Sequence, residues 1–284
     1  MSYKVAVLLT CFNRKETTLA CLENLYGQDI AFDVYLVDDG STDGTGEAVK
    51  QNFPAVNLIK STGDLFWNRG MRLAWQHAMA QNPSYTHYIW LNDDTLLHVH
   101  ALSRLLAYSR ELKDKHIICA AINDPILKTF TYGGKNILSQ PVPPNGNLQR
   151  VHYMNGNLVL VPKYVVDSIG ILDASFRHHL GDYDYGLRAA KNNIQVYTTP
   201  EYIGSCESNT ALKTRGRKPD TTLTQRFRFL YSPLGVDPIA QFKYQKRHDG
   251  LLVAIQNFAV IHINNLMTNG MRKFYADKIK KEPD

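Results

Sequence analysis

Ile89-Trp90-Leu91-Asn92-Asp93-Asp94-Thr95 is an apolar run of strand length that stops abruptly at two adjacent carboxylates. Such a run reads as a buried strand, and open α/β sheets bind their ligands at the carboxyl ends of their strands. Two neighbouring acids there repel each other unless a cation sits between them and a ligand. A hard divalent ion bridging to a diphosphate meets that need, because Mg²⁺ takes one or two carboxylates together with phosphate oxygens. The plainer reading is a turn or helix cap, since Asp and Thr favour both.

Upstream of this stretch, strand and helix alternate. Val5 to Thr10 reads as a buried first strand, and Lys15 to Tyr26 as a helix with Leu19, Leu22, Leu25 and Tyr26 on one face. Asp33 to Val37 is a second strand, followed by a helix near Gly46 to Asn52 and a strand at Val56 to Ile59. A helix from about Met71 to Gln81 precedes the Ile89 strand. This rhythm predicts an α/β fold with a doubly wound, mostly parallel sheet.

Downstream the pattern loosens. Strands are predicted at Ile117 to Ile122, Asn157 to Val161 and Gln195 to Tyr197, with a surface loop over Tyr132 to Pro144 and a helix over Asp182 to Lys191. After Pro200 the residues Lys213, Arg215, Arg217, Lys218, Arg226 and Arg228 read as a basic linker. Helices near Pro238 to Tyr244 and Leu251 to Met267 follow. The organisation is therefore a domain over 1–210 and a linker with a C-terminal helical extension over 211–284.

Composition narrows the partners. A net charge of +6 and a pI near 9.0 favour anions such as nucleotide phosphates or anionic headgroups. Cys11, Cys21, Cys119 and Cys206 show no metal-ligand spacing. Free thiols without a signal peptide imply a cytoplasmic location. The stretch Leu251 to Ile263 is interrupted by Gln256, Asn257 and His262, too polar and short for a membrane span.

Three further stretches carry chemistry. Asp38 and Asp39 end a strand before a Gly-Ser-Thr turn, where a carboxylate can accept from a base N–H or ribose hydroxyls; an N-cap by Ser41 or Thr42 is the plainer reading. The turn lacks the glycine spacing of dinucleotide folds, and no phosphate loop is present, so hydride transfer and P-loop chemistry both lose support. Gly63 to Gly70 carries Phe66, Trp67 and Arg69; it reads as the lining of a sugar or nucleotide pocket with Arg69 near phosphate, or as a helix start with both aromatics in the core. In Gly181 to Arg188, Asp184 and Arg188 stand four apart and can pair on a helix surface, leaving Asp182 as a free carboxylate for general-base work.

The order of these motifs resembles glycosyltransferase family 2: Thr10-Cys11-Phe12-Asn13-Arg14, then Val37 to Thr45, then Leu91 to Thr95, then Gly181 to Asp184 with Arg188. The resemblance covers roughly residues 3 to 210 and implies the GT-A fold and an inverting, metal-dependent hexosyl-type transfer from a nucleotide sugar. Gly63 to Gly70 and Asn155-Gly156 look most like the rhamnosyltransferase and galactofuranosyltransferase branch, which implies dTDP-rhamnose or a UDP-sugar as donor.

Carried over by position, Thr10, Asn13, Asp38 and Asp39 would hold the nucleoside; Asp93, the middle residue of the triplet, points at donor or metal and is grouped with Arg69 on the nucleotide side. Asp94 matches the metal ligand, for Mg²⁺ or Mn²⁺, while Asn92 replaces the first acid of the family's triplet. Asp182 matches the base, although Gly181 stands where an acid often precedes it. Trp67, Asn155, Gly156 and Asp184 would contact donor or acceptor sugar. Cys206 stands near the position of a histidine ligand in many relatives, and a thiolate is softer than Mg²⁺ prefers.

The acceptor implied is a glycan or lipid-linked saccharide in cell-surface polysaccharide synthesis, with no nucleic-acid partner. The basic linker and the helices around Phe242 and Phe258 read either as an anionic-membrane contact, giving peripheral attachment, or as packing surfaces onto the domain or a second subunit. Two other classes compete: a sugar-nucleotide nucleotidyltransferase, which would release pyrophosphate, and a non-catalytic carbohydrate or nucleic-acid binding module.

Overall fold

β1 (Val5–Cys11) sends Val5, Val7, Leu9 and Cys11 into one apolar layer and Ala6 and Leu8 into another, so both faces of the strand are covered. The computed structural model describes residues 3–82, 84–208 and 221–267. Two compact units are present, Met1–Ser208 and Asn209–Asp284.

In the first unit the elements are β1, α1 (Lys15–Tyr26), β2 (Asp33–Asp38), α2 (Thr45–Asn52), β3 (Asn57–Lys60), α3 (Phe66–Gln81) and β4 (His87–Leu91). Then come β5 (Leu96–Leu97), α4 (Ala101–Glu111), β6 (Ile117–Asn123), β7 (Phe130–Tyr132), β8 (Gln149–Val151), β9 (Leu158–Pro162), α5 (Lys163–Ile169), α6 (Gly181–Lys191) and β10 (Val196–Ser205). The sheet runs β3-β2-β1-β4-β9-β6-β10-β5, with β7 on β6 and β8 on β10. β3, β2, β1, β4, β6 and β10 point one way, whereas β9 and β5 are reversed. The doubly wound, mostly parallel sheet predicted from the sequence is therefore present.

One layer packs Cys21, Leu22 and Leu25 of α1 and Leu102, Leu105 and Leu106 of α4 under the sheet. The other packs Met71, Ala74 and Trp75 of α3 with Tyr185 and Ala189 of α6. β1 lies between β2 and β4, so the strand order reverses there, at the place where open α/β sheets bind their ligands.

Two elements differ from expectation. α3 begins at Phe66 rather than Met71, because Asp39 Oδ2 accepts the Leu65 and Phe66 N–H groups at 3.0 and 2.8 Å and so caps the helix from another strand. β10 continues through Pro200 to Ser205, well beyond the Gln195 to Tyr197 strand expected from the sequence. Proline cannot donate to a ladder, and the register against β6 shifts between Thr198 and Tyr202. There Thr199 Oγ1 accepts the Ala121 N–H at 3.0 Å in place of a backbone carbonyl.

The second unit holds α7 (Leu223–Leu230), α8 (Pro238–His248) and α9 (Leu251–Leu266). α7 corrects the linker reading: Thr222 and Gln225 form a reciprocal capping box, and Arg226 and Arg228 are helical. The Arg226 guanidinium donates to the carbonyls of Asn265 and Met267, where a cation complements the end of α9. Phe242 and Phe258 meet edge to face, 5.9 Å apart, between α8 and α9. Lys213, Arg215, Arg217 and Lys218 lie outside the described residues. No helix among the described residues is long and apolar enough to cross a membrane.

Candidate active site

The acidic pair sits where β4 ends. Arg14, at the start of α1, donates to Asp93 Oδ1 at 3.0 Å and to Asp94 Oδ2 at 2.9 Å. The cation that the pair demands is thus supplied by the chain itself. Asp93 Oδ2 also accepts from Thr18 Oγ1 at 3.3 Å, so both Asp93 oxygens are engaged by α1. Burial pushes the Asp93 carboxyl up to about 7, against the opposing effect of Arg14. Asp93 therefore ties the loop to α1 through both of its oxygens.

Asp94 differs. Its Oδ1 is buried with no hydrogen-bond partner among the described residues. An orphaned hard oxygen where β4 ends suits a divalent cation that draws its other ligands from phosphate and water. No cluster of three or more His, Cys, Asp or Glu side chains arranged for a metal exists among the described residues. Cys206 is buried against this acid, and burial first, then the Asp94 charge, push its thiol up to about 12.

From the acidic loop a continuous line of contacts leads to Asp182. Trp67 Nε1 donates to Asn92 Oδ1 at 2.7 Å. The six-membered ring of Trp67 covers Gly156, where an added Cβ would stand 2.4 Å from Cζ2. The Gly156 N–H donates to Asp182 Oδ2 at 3.0 Å, and the Tyr183 N–H donates to Oδ1 at 2.9 Å. Burial pushes the Asp182 carboxyl up to about 6, opposed by these backbone bonds and by Lys135. Just before it, Leu180 adopts φ 71°, a strained conformation for leucine of the kind that gathers at functional sites.

Asn68 explains the missing acid before the base. It is fully buried, and its Nδ2 donates to the carbonyls of Asp173 and Phe176, both at 2.8 Å. Its Oδ1 would lie 1.8 Å from a Cβ at position 181, so only glycine fits there. Gly181→Ala is expected to lower stability by about 1–3 kcal/mol, the usual cost of overpacking a rigid interior; urea denaturation measures it. Arg69, expected near phosphate, donates through Nε to the Ala174 carbonyl at 2.9 Å. Asn68 and Arg69 together fix the segment that delivers Asp182.

The nucleoside-side residues cluster at the carboxyl ends of β1 and β2. Asn13 Oδ1 accepts the Thr42 N–H at 2.7 Å, and the Asn13 N–H donates to Ser41 Oγ at 3.0 Å. Asp38 Oδ1 accepts the Ser41 N–H at 2.9 Å, while Asp43, not Ser41 or Thr42, receives the Thr45 N–H at the start of α2. Thr10 Oγ1 packs against Gly70 of α3, 2.3 Å from where a Cβ would stand. Asn155 Oδ1 accepts the Asn157 N–H at 3.1 Å. Asp184 does pair with Arg188, at 2.9 Å, but in the interior rather than on the surface: its carboxylate is wholly buried. Arg188 also donates to the carbonyls of Ile169 and Ile171, locking α6 to the turn after α5.

The sequence profile of glycosyl transferase family 2 matches residues 6–162, more than half of the chain. The chain belongs to glycosyl transferase family 2. No curated protein sequence matches it. Among solved structures, the mannosyltransferase PcManGT from Pyrobaculum calidifontis, in complex with GDP-Man and Mn²⁺, superposes with a TM-score of 0.58 at 16% identity, covering 99% of this chain and 80% of that one. Residues 1–349 of S. aureus TarS with UDP-GlcNAc give 0.56 at 14% identity, covering 93% of this chain and 89% of that one. The chain spans only 54% of the longer TarS chain. At these identities the likeness is one of fold, and that fold is the GT-A type expected of a family 2 glycosyltransferase.

Arg14, Thr18 and Asn68 are the residues that sequence reasoning left without a role. Arg14 was within reach: adjacent acids require a cation, and Arg14 follows the neighbouring strand by three residues.

Proposed function

We propose that the chain moves a sugar from a nucleotide-diphosphate donor to an acceptor hydroxyl in a single inverting displacement, with Asp182 as base. The observation that carries this reading is the contact line from Asn92 through Trp67 and Gly156 to Asp182, which ties the acidic loop to the raised-pKa carboxylate. A carboxylate near 6 is ionised at neutral pH yet more basic than an ordinary aspartate. It removes the acceptor proton as that oxygen attacks the anomeric carbon, and the nucleoside diphosphate leaves from the opposite side.

Thr10, Asn13, Asp38 and Asp39 frame the nucleoside end of the site, and Asn155 and Gly156 the sugar end. Asp94 would hold Mg²⁺ or Mn²⁺ through its unpartnered oxygen, and the ion would offset the charge developing on the diphosphate. The donor is dTDP-rhamnose or a UDP-sugar such as UDP-galactofuranose, supported by the Gly63 to Gly70 and Asn155-Gly156 motifs. The acceptor is a glycan or lipid-linked saccharide of cell-surface polysaccharide synthesis. A peripheral position on the cytoplasmic face of the membrane is supported by exposed Leu252, Ile255 and Ile263 on α9 and exposed Lys243 and Lys246 on α8.

A panel of nucleotide sugars, each with Mg²⁺, tests the donor by thermal shift. Ligand at a hundredfold excess over Kd stabilises by about 2.7 kcal/mol, which is several degrees in Tm. One base class is expected to give that shift and nucleoside diphosphate release. A panel without any shift would contradict the reading.

A further inference from the structure

The two oxygens of Asp94 have different fates. Oδ2 accepts from Arg14 at 2.9 Å, while Oδ1 is buried without a partner. Asp93 is closed by Arg14 on one side and Thr18 on the other. The oxygen left for a metal therefore shares its carboxylate with a guanidinium. We propose that Arg14 is a resident counter-cation that competes with the divalent ion for Asp94, so that the protein binds metal weakly until donor arrives. The proposal rests on the reading of Asp94 as the metal ligand.

Arg14 offsets one unit of the negative charge that Asp93 and Asp94 would otherwise offer an incoming ion, and it places a like charge beside it. A guanidinium beside a carboxylate lowers that carboxylate's affinity for a proton by about one to three powers of ten, and the same repulsion acts on a divalent ion. The Arg14 side chain is 42% exposed, whereas Asp93 and Asp94 are 7% and 16% exposed. The arginine can thus swing toward solvent or toward a donor diphosphate while the acids stay in place. A guanidinium fork fits phosphate as well as it fits carboxylate. Donor and metal would then enter together, because the diphosphate both draws Arg14 away and supplies ligands to the ion.

The test is titration of the donor-free protein with Mn²⁺ alone, following free Mn²⁺ by electron paramagnetic resonance. Arg14→Met is expected to bind Mn²⁺ about tenfold more tightly than the wild type or better, even as it melts at a lower temperature because two acids have lost their partner. Arg14→Gln, neutral but able to hydrogen-bond, should move affinity the same way and serves if Arg14→Met folds poorly. Arg14→Lys keeps the charge and should stay near wild type. Asp94→Asn should lose the site. If the neutral variants bind Mn²⁺ no better than wild type while Asp94→Asn abolishes binding, the competition is refuted and the metal reading stands. If Asp94→Asn binds as wild type does, both fall.

Discussion

Asp182→Asn is expected to lower turnover by about 10²–10⁴-fold, the usual contribution of a positioned base, while leaving donor affinity nearly unchanged. The pH profile gives a sharper sign. With its carboxyl near 6, the wild-type kcat/KM should fall about tenfold per unit as pH drops below 6 and level off above it. The variant should lose that acid limb. Folding provides a control. A carboxyl raised from 3.8 to about 6 binds its proton more tightly in the folded chain, so it costs stability as pH rises through that window and throughout above it. Removing the charge returns that cost, and the loss of one N–H acceptor takes back about 1 kcal/mol. The first is about 3 kcal/mol for a shift of that size and exceeds the second, so Tm at neutral pH should hold or rise. A variant with substantial turnover and an intact acid limb would refute the assignment of the base.

Gly156→Ala should disable the same site from the other side. Its new Cβ would stand 2.4 and 2.5 Å from two ring atoms of Trp67. That ring has little room to retreat: Nε1 is held by Asn92 at 2.7 Å, and Trp90 meets it edge to face at 6.1 Å. Overpacking a rigid aromatic costs about 1–3 kcal/mol, and a displacement of about 1 Å in a positioning group can cost about 10²-fold in rate. Near-UV circular dichroism should change with it, because Trp67, Trp75 and Trp90 form one aromatic cluster. Trp67→Phe makes room, so the double variant should recover part of the stability that Gly156→Ala loses. Additive losses instead would show that the clash with Trp67 is not the cause.

Much of the framework was legible in the sequence because local pattern and burial agree. β1, β2 and β4 are apolar runs ending in polar turns, and α1 spans Lys15–Tyr26 as its periodicity predicts. β5 is two residues long, and β7 and β8 three each; strands that short take their form from pairing partners rather than from their own residues. α7 was hidden because its arginines look like a solvated run, although one of them closes the end of α9. At the site, residue identity pointed to Asp94 and Asp182, but the supporting contacts are long-range. Arg14 meets Asp93 across 79 positions, and Asn68 reaches Phe176 across 108. Nothing local marks the partners of Asn68, nor the Ala174 carbonyl that Arg69 meets across 105 positions.

The bond that the enzyme breaks tests the central claim most directly. With a stabilising nucleotide sugar, Mg²⁺ and acceptor or water, ³¹P NMR of the products should show nucleoside diphosphate, released when the bond from the anomeric carbon to the β-phosphate oxygen breaks. Pyrophosphate in its place, or no turnover of any donor that binds, would contradict the account.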